Sequence, residues 1–146
     1  MSEHSGAITI DESLKPIYVV SFEGVPSDTE FEAYLKRLGT ITEKQYDKAL
    51  VFDATHSGTT PPSHRKRMAE WMKQYDALIR QRTAGCAFVL PSAIQRGMLT
   101  AILWLQPMAC PHAIVGTREE ALNWVKKELG KRTDSRSSSA RISNAG

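Results

Sequence analysis

Apolar positions along this chain change period several times, and each change marks an element. Residues 7–11 alternate apolar and polar side chains. After a turn at residues 12–16, the stretch 17–24 is rich in β-branched and aromatic residues, so the two segments read as a hairpin. Phe31, Tyr34, Leu35 and Leu38 then recur at intervals of three and four, which predicts a first helix over residues 28–38, stopping at Gly39. Residues 40–48 form a connector, and the continuous apolar run 49–52 reads as a buried strand ending at Asp53. Met68, Trp71, Met72, Tyr75, Leu78 and Ile79 predict a second helix over residues 63–81. A strand at 86–90, a third helix at 93–106 closed by Pro107, and a strand at 112–116 follow. The last helix, 118–129, turns Ala121, Leu122, Val125 and Leu129 inward and ends at Gly130.

The resulting order is ββαβαβαβα. Apolar strands alternating with amphipathic helices predict an α/β fold with a mixed, mainly parallel five-stranded sheet covered by about four helices. The domain spans residues 7–130, preceded by a polar, disordered N-terminus at 1–6. Residues 131–146, KRTDSRSSSARISNAG, hold too little apolar surface to order themselves and read as a disordered basic Ser/Arg tail.

Charge changes the picture only once it is located. The sequence pI near 9.0 points toward nucleic acid. Residues 131–146, however, carry four cations against one acid, and that net of +3 equals the net charge of the whole chain. The folded body is therefore neutral, and a nucleic-acid partner is not expected. The apolar run at 98–105 is interrupted by Thr100 and is too short to cross a bilayer, and the opening MSEHSGA lacks the charged and apolar regions of a signal peptide. A cytoplasmic location is expected. Cys86 sits in an apolar strand and reads as a small buried hydrophobe; Cys110 precedes a strand, and no C-x-x-C pair exists. Trp71, Trp104 and Trp124 all lie on predicted helices, where burial is the ordinary expectation.

Candidate chemistry concentrates between residues 50 and 67. The strand ends at Asp53, a loop with His56 and Ser57 follows, and the next helix opens on Ser63, His64, Arg65, Lys66 and Arg67. Helix N-termini favour acids and side-chain acceptors over cations. The sequences Ser27-x-x-Glu30, Ser92-x-x-Gln95 and Thr117-x-x-Glu120 obey that rule as capping boxes, whereas the helix after Ser63 does not. A local rule broken at the carboxyl end of a strand marks a candidate site. We take Asp53, His56, Ser57, Ser63, His64, Arg65 and Arg67 as its binding residues. Arg65 and His64 are expected to face the loop, where they could hold a small anion or lipid headgroup. A hydrolase is the weakest reading, because an acid, His and Ser crowded into one loop seldom align and no G-x-S-x-G elbow is present. One glycine, Gly58, is too few for a nucleotide-phosphate loop. Asp53, His56, His64 and His112 show no metal-ligand spacing, so neither a metal nor another cofactor is expected. The third helix is apolar on more than one face and could pair with a second copy of the chain.

The element order, the Leu50-Val51-Phe52-Asp53 strand, Ser63 at the following helix start and Glu120-Ala121-Leu122-Asn123-Trp124 in the last helix together resemble the STAS domain over about residues 7–130. That superfamily includes anti-sigma-factor antagonists and standalone STAS/SEC14-like bacterial proteins. The resemblance implies a small, non-catalytic regulatory or scaffolding module that binds a protein partner through the surface from Asp53 to Arg67. It also implies a possible phosphorylation position, met here by Ser63 alone. The family's Asp-Ser-Ser/Thr-Gly signature is replaced by Pro61-Pro62-Ser63-His64.

Overall fold

The computed structural model describes residues 7–145, with side chains described for 7–135. The N-terminus expected to be disordered, residues 1–6, lies outside the described residues. Strands β1 (Ala7–Leu14), β2 (Ile17–Gly24), β3 (Lys48–Ser57), β4 (Thr83–Val89) and β5 (His112–Val115) form one sheet in sequence order. The β1–β2 pair is antiparallel, and every other pair is parallel. The expected mixed, mainly parallel five-stranded sheet is therefore present. Helices α1 (Asp28–Thr42), α2 (Pro62–Gln74), α3 (Asp76–Arg82) and α4 (Ala93–Leu105) make the crossovers, and α5 (Arg118–Ala145) follows the last strand.

A sheet laid down in sequence order with crossovers of one hand stacks every crossover helix on the same face. Tyr18, Val20, Leu50 and Cys86 point to that face and meet Phe31, Tyr34, Leu35 and Leu38 of α1, Trp71 and Met72 of α2, and Ile79 of α3. The alternate strand residues, Ile17, Val19, Ala49, Val51, Ala87 and Val89, point the other way and are covered by Ala121 and Val125 of α5. This is the period-two consequence of strand geometry.

Several boundaries differ from the pattern-based expectation, β1 running on to Leu14 and β4 starting at Thr83 among them. Helix α1 runs through Gly39 to Thr42. Gly39 is not a stop but a point of close approach, since a Cβ there would lie 2.5 Å from the Tyr75 hydroxyl oxygen. The single helix expected over 63–81 is two helices, because Tyr75 leaves helical geometry (φ −98°, ψ 9°) with its ring stacked on Trp71 and its hydroxyl donating to Glu43. Strand β3 does not end at Asp53; His56 and Ser57 remain in register with Glu23 and Gly24 of β2, beyond an irregularity in the ladder. Helix α5 continues through Gly130, displacing the boundary placed there. A helical glycine costs only about 1 kcal/mol relative to alanine. Just beyond it, Arg132 ties the helix to the body by donating to the carbonyls of Gln81 and Thr83.

Near that junction, Lys48 is fully buried at the start of β3 and donates to the carbonyls of Lys44 and Arg82. Burial pushes its ammonium down to about 8, against the opposing pull of Asp47. Cys86 and Cys110 are both buried thiols with their sulfurs 3.5 Å apart. The Cys110 contact and burial together raise the Cys86 thiol well above its ordinary value, which leaves it a poor nucleophile.

Candidate functional site

The loop from β3 to α2 is held on three sides. Gly58 N–H donates to the Gly24 carbonyl at 2.8 Å, Arg65 Nη1 to the Thr60 carbonyl at 2.6 Å, and Thr60 N–H to the Met98 thioether at 3.1 Å. Gln95 of α4 donates its amide to the Ala54 carbonyl just upstream. Arg65 thus spans its own loop rather than facing outward.

Helix α2 begins after Pro61 with no side-chain cap and no acid in its first turn. The anomaly that singled it out has a tertiary explanation. His64, only 5% exposed, sets Nε2 2.8 Å from Asp28 Oδ1 and stacks on Phe31 with ring centroids 4.2 Å apart. Arg67 Nε donates to Glu32 Oε2 at 2.9 Å. Asp28 and Glu32 of α1 thus stand against His64 and Arg67 of α2, and Asp28 is in addition favoured in the first turn of its own helix. Three of the basic or imidazole groups read from sequence are engaged internally. Ser63 and Lys66 stay exposed beside a shallow hollow between α1 and α2 that is also lined by Asp28, Glu32 and Glu70. His56 is exposed, and the Ser57 hydroxyl donates to the Gly58 carbonyl.

Asp53 is separated from this group by the sheet itself. Being one residue out of phase with Phe52 and Ala54, it points toward α5. Its Oδ2 accepts from Arg118 Nε at 2.9 Å, and its Oδ1 accepts from Thr55 N–H at 3.0 Å and from the Thr55 hydroxyl. Arg118 reaches on to the Ser21 hydroxyl at 2.8 Å. Burial pushes the Asp53 carboxyl up, but the Thr55 hydrogen bonds and the Arg118 guanidinium together outweigh it and hold the carboxylate below its ordinary range. No Asp–His–Ser alignment results, since Asp53 and His64 lie against opposite sheet faces. Among the described residues, no three His, Cys, Asp or Glu side chains are placed to hold a metal ion.

Beneath the loop lies a cavity of about 150 Å3, bounded by the sheet, α1, α2 and α4, with walls that are almost wholly apolar. Sequence reading did not give its apolar lining, because it arises where three helices fail to close over one strand end. It also missed Arg118, although a cation directly after the Thr117 cap breaks the same first-turn rule that drew attention to α2. The Ser27 and Ser92 capping boxes are complete, and Thr117 accepts from Glu120 N–H. Trp71 is buried as expected, with its indole N–H donating to the Leu35 carbonyl, and Trp124 is half-buried. Trp104 is not buried: on the outer face of α4 it is 84% exposed, near Leu105 at 61%.

One mixed sheet with four crossover helices on one face and a closing helix on the other is a SpoIIAA-like fold. Among solved structures, the chain is similar to an uncharacterised DUF3478-family protein with a SpoIIAA-like fold from Shewanella loihica PV-4, at 14% identity and TM-score 0.61, covering 86% of this chain and 97% of that one. It is also similar to an anti-sigma factor antagonist from Mycobacterium paratuberculosis, at 17% identity and TM-score 0.55, with the same coverage. No protein-family model matches the sequence, and no curated protein does. Among the described residues, no helix is long and apolar enough to cross a membrane.

Proposed function

We infer that this chain is a non-catalytic regulatory or scaffolding module that binds a protein partner through the loop after β3 and the outer face of the first turns of α2. The observation that carries this reading is the exposed pair Ser63 and Lys66 at an uncapped helix start, beside Arg67 paired with Glu32 of α1 and Arg65 held by its own loop. Likeness of fold to an anti-sigma factor antagonist supports a protein as the partner. The contact surface is narrower than the sequence suggested: His56, Ser63 and Lys66 are offered to a partner, whereas His64, Arg65 and Arg67 build its support and Asp53 faces α5. Phosphorylation of Ser63 would place a dianion on unpaired helix amides beside Lys66 and so change the charge a partner meets. A small anion or lipid headgroup finds little at the same place, because His64, Arg65 and Arg67 already hold internal acceptors.

Affinity capture with wild type and with Ser63→Asp and Lys66→Glu variants tests the reading. Both side chains are exposed, so the variants should melt within about 0.5 kcal/mol of wild type. We expect one protein enriched by wild type to be lost with both variants. Undiminished capture by the folded variants would remove this surface from the partner contact.

A further inference from the structure

The cavity under the loop is lined by aromatic rings from three strands, Phe22, Phe52 and Phe88, and from α1, Phe31 and Tyr34. The thioethers of Met68, Met72 and Met98 complete its helical wall. We propose that it is a binding site for a small, neutral, ring-bearing molecule of about six to eight heavy atoms carrying one oxygen acceptor, a size set by analogy with apolar cavities near this volume that take up benzene.

Three observations define that ligand. The volume of about 150 Å3 matches that of apolar cavities that take up a single ring. The walls offer no counter-charge: His64 is turned onto Asp28, Arg65 onto the Thr60 carbonyl, and the Gln95 amide onto the Ala54 carbonyl. A charged ligand would lose its hydration without compensation. One polar group at the wall is poorly served, because Thr60 N–H donates to a thioether, a weak acceptor. A phenol or ketone oxygen in place of the Met98 sulfur would satisfy it better, and the flexible methionine can move aside. Residues 57–61, at the connection between β3 and α2, form one of its walls. The inference does not rest on the partner reading, and either can fail alone.

The test titrates p-cresol, toluene and benzoate into the full chain carrying 13C-methyl methionine, followed by NMR and by thermal melting. We expect saturable shifts of the Met68, Met72 and Met98 methyl signals with p-cresol, several-fold weaker binding of toluene, and at least 100-fold weaker binding of benzoate. At ten times the dissociation constant, p-cresol should raise Tm by about 3–6 °C. Ala54→Leu, which fills the cavity from β3, should abolish the methyl shifts. The proposal is overturned if none of the three methyl signals moves saturably in wild type, if benzoate binds as tightly as p-cresol, or if a folded Ala54→Leu protein binds unchanged. Should that variant not fold, the wild-type methyl titration decides by itself.

Discussion

The two faces of the sheet are packed by different means. On one, a single helix lies over small and β-branched residues, Ala49, Val51, Ala87 and Val89 meeting Ala121 and Val125, all fully buried. Contact there is so close that a Cβ on Gly85 would stand 2.8 Å from the Trp124 ring. On the other, four helices bring Phe, Tyr, Trp and Met side chains to the sheet and leave a cavity. Small residues under one straight helix fill space uniformly. Large residues under several short helices do not, and the leftover volume gathers where the β3–α2 loop replaces a helix. The α5 face is filled by its own side chains, and the unfilled volume lies on the four-helix face.

Adding volume to each face should separate them most sharply. Gly85→Val drives a branched side chain into Trp124 and should cost about 3 kcal/mol, whereas Ala54→Leu on the cavity face should cost less than about 1 kcal/mol or stabilise. Urea unfolding of both variants measures this, and equal losses would erase the distinction between the faces. The next effect concerns the polar end of the α5 face. Because Arg118 is half-exposed, Arg118→Ala should cost about 1–2 kcal/mol at pH 7. The folded Asp53 carboxyl is held below its unfolded value near 3.8, so its contribution is complete above that value and is lost as pH falls through the folded one. The Arg118→Ala protein should accordingly unfold in acid at a higher pH than wild type, as followed by circular dichroism from pH 6 to pH 2; superimposed profiles would show that the ion pair contributes nothing. The smallest effect on stability lies on the outer surface of α4, where Ile94, Trp104 and Leu105 are exposed. Pairing with a second copy, expected from the apolar spacing of that helix, would run through these side chains. Trp104→Ser should change stability by under about 0.5 kcal/mol while abolishing any dimer seen in sedimentation velocity; a wild-type chain that stays monomeric at high concentration removes that expectation.

Much of the fold could be read from apolar spacing, because the strands and the inward stripes of α1, α2 and α5 are repeated signals. Glycine misled in two places. Gly39 and Gly130 both lie inside helices, the first because Tyr75 packs where a side chain would be, the second because Arg132 anchors the chain beyond it. The candidate site was legible in its location but not in its membership. The loop and the start of α2 do border the cavity, yet Asp53 was grouped with them by nearness in sequence. Its partner Arg118 lies 65 residues away along the chain, and Ser21, which Arg118 also reaches, lies 97 residues from that arginine. The exposed Trp104 shows the complementary limit, for helical spacing reports which residues share a face and not whether another element covers it.

What the sequence determined alone was local: where strands and helices form, which side chains share a face, which helices carry their own caps, and that the excess positive charge sits after residue 130. Only the tertiary structure decided which groups meet. Alternation along β3 sends Asp53 to Arg118 and keeps it from His64, a difference of one residue that no composition or loop motif encodes. Asp28 and Glu32 of α1 meet His64 and Arg67 of α2 because two helices distant in the chain are laid side by side. The cavity belongs to neither helix nor strand. It exists because side chains fixed separately by their own elements have volumes that do not sum to fill the space between them.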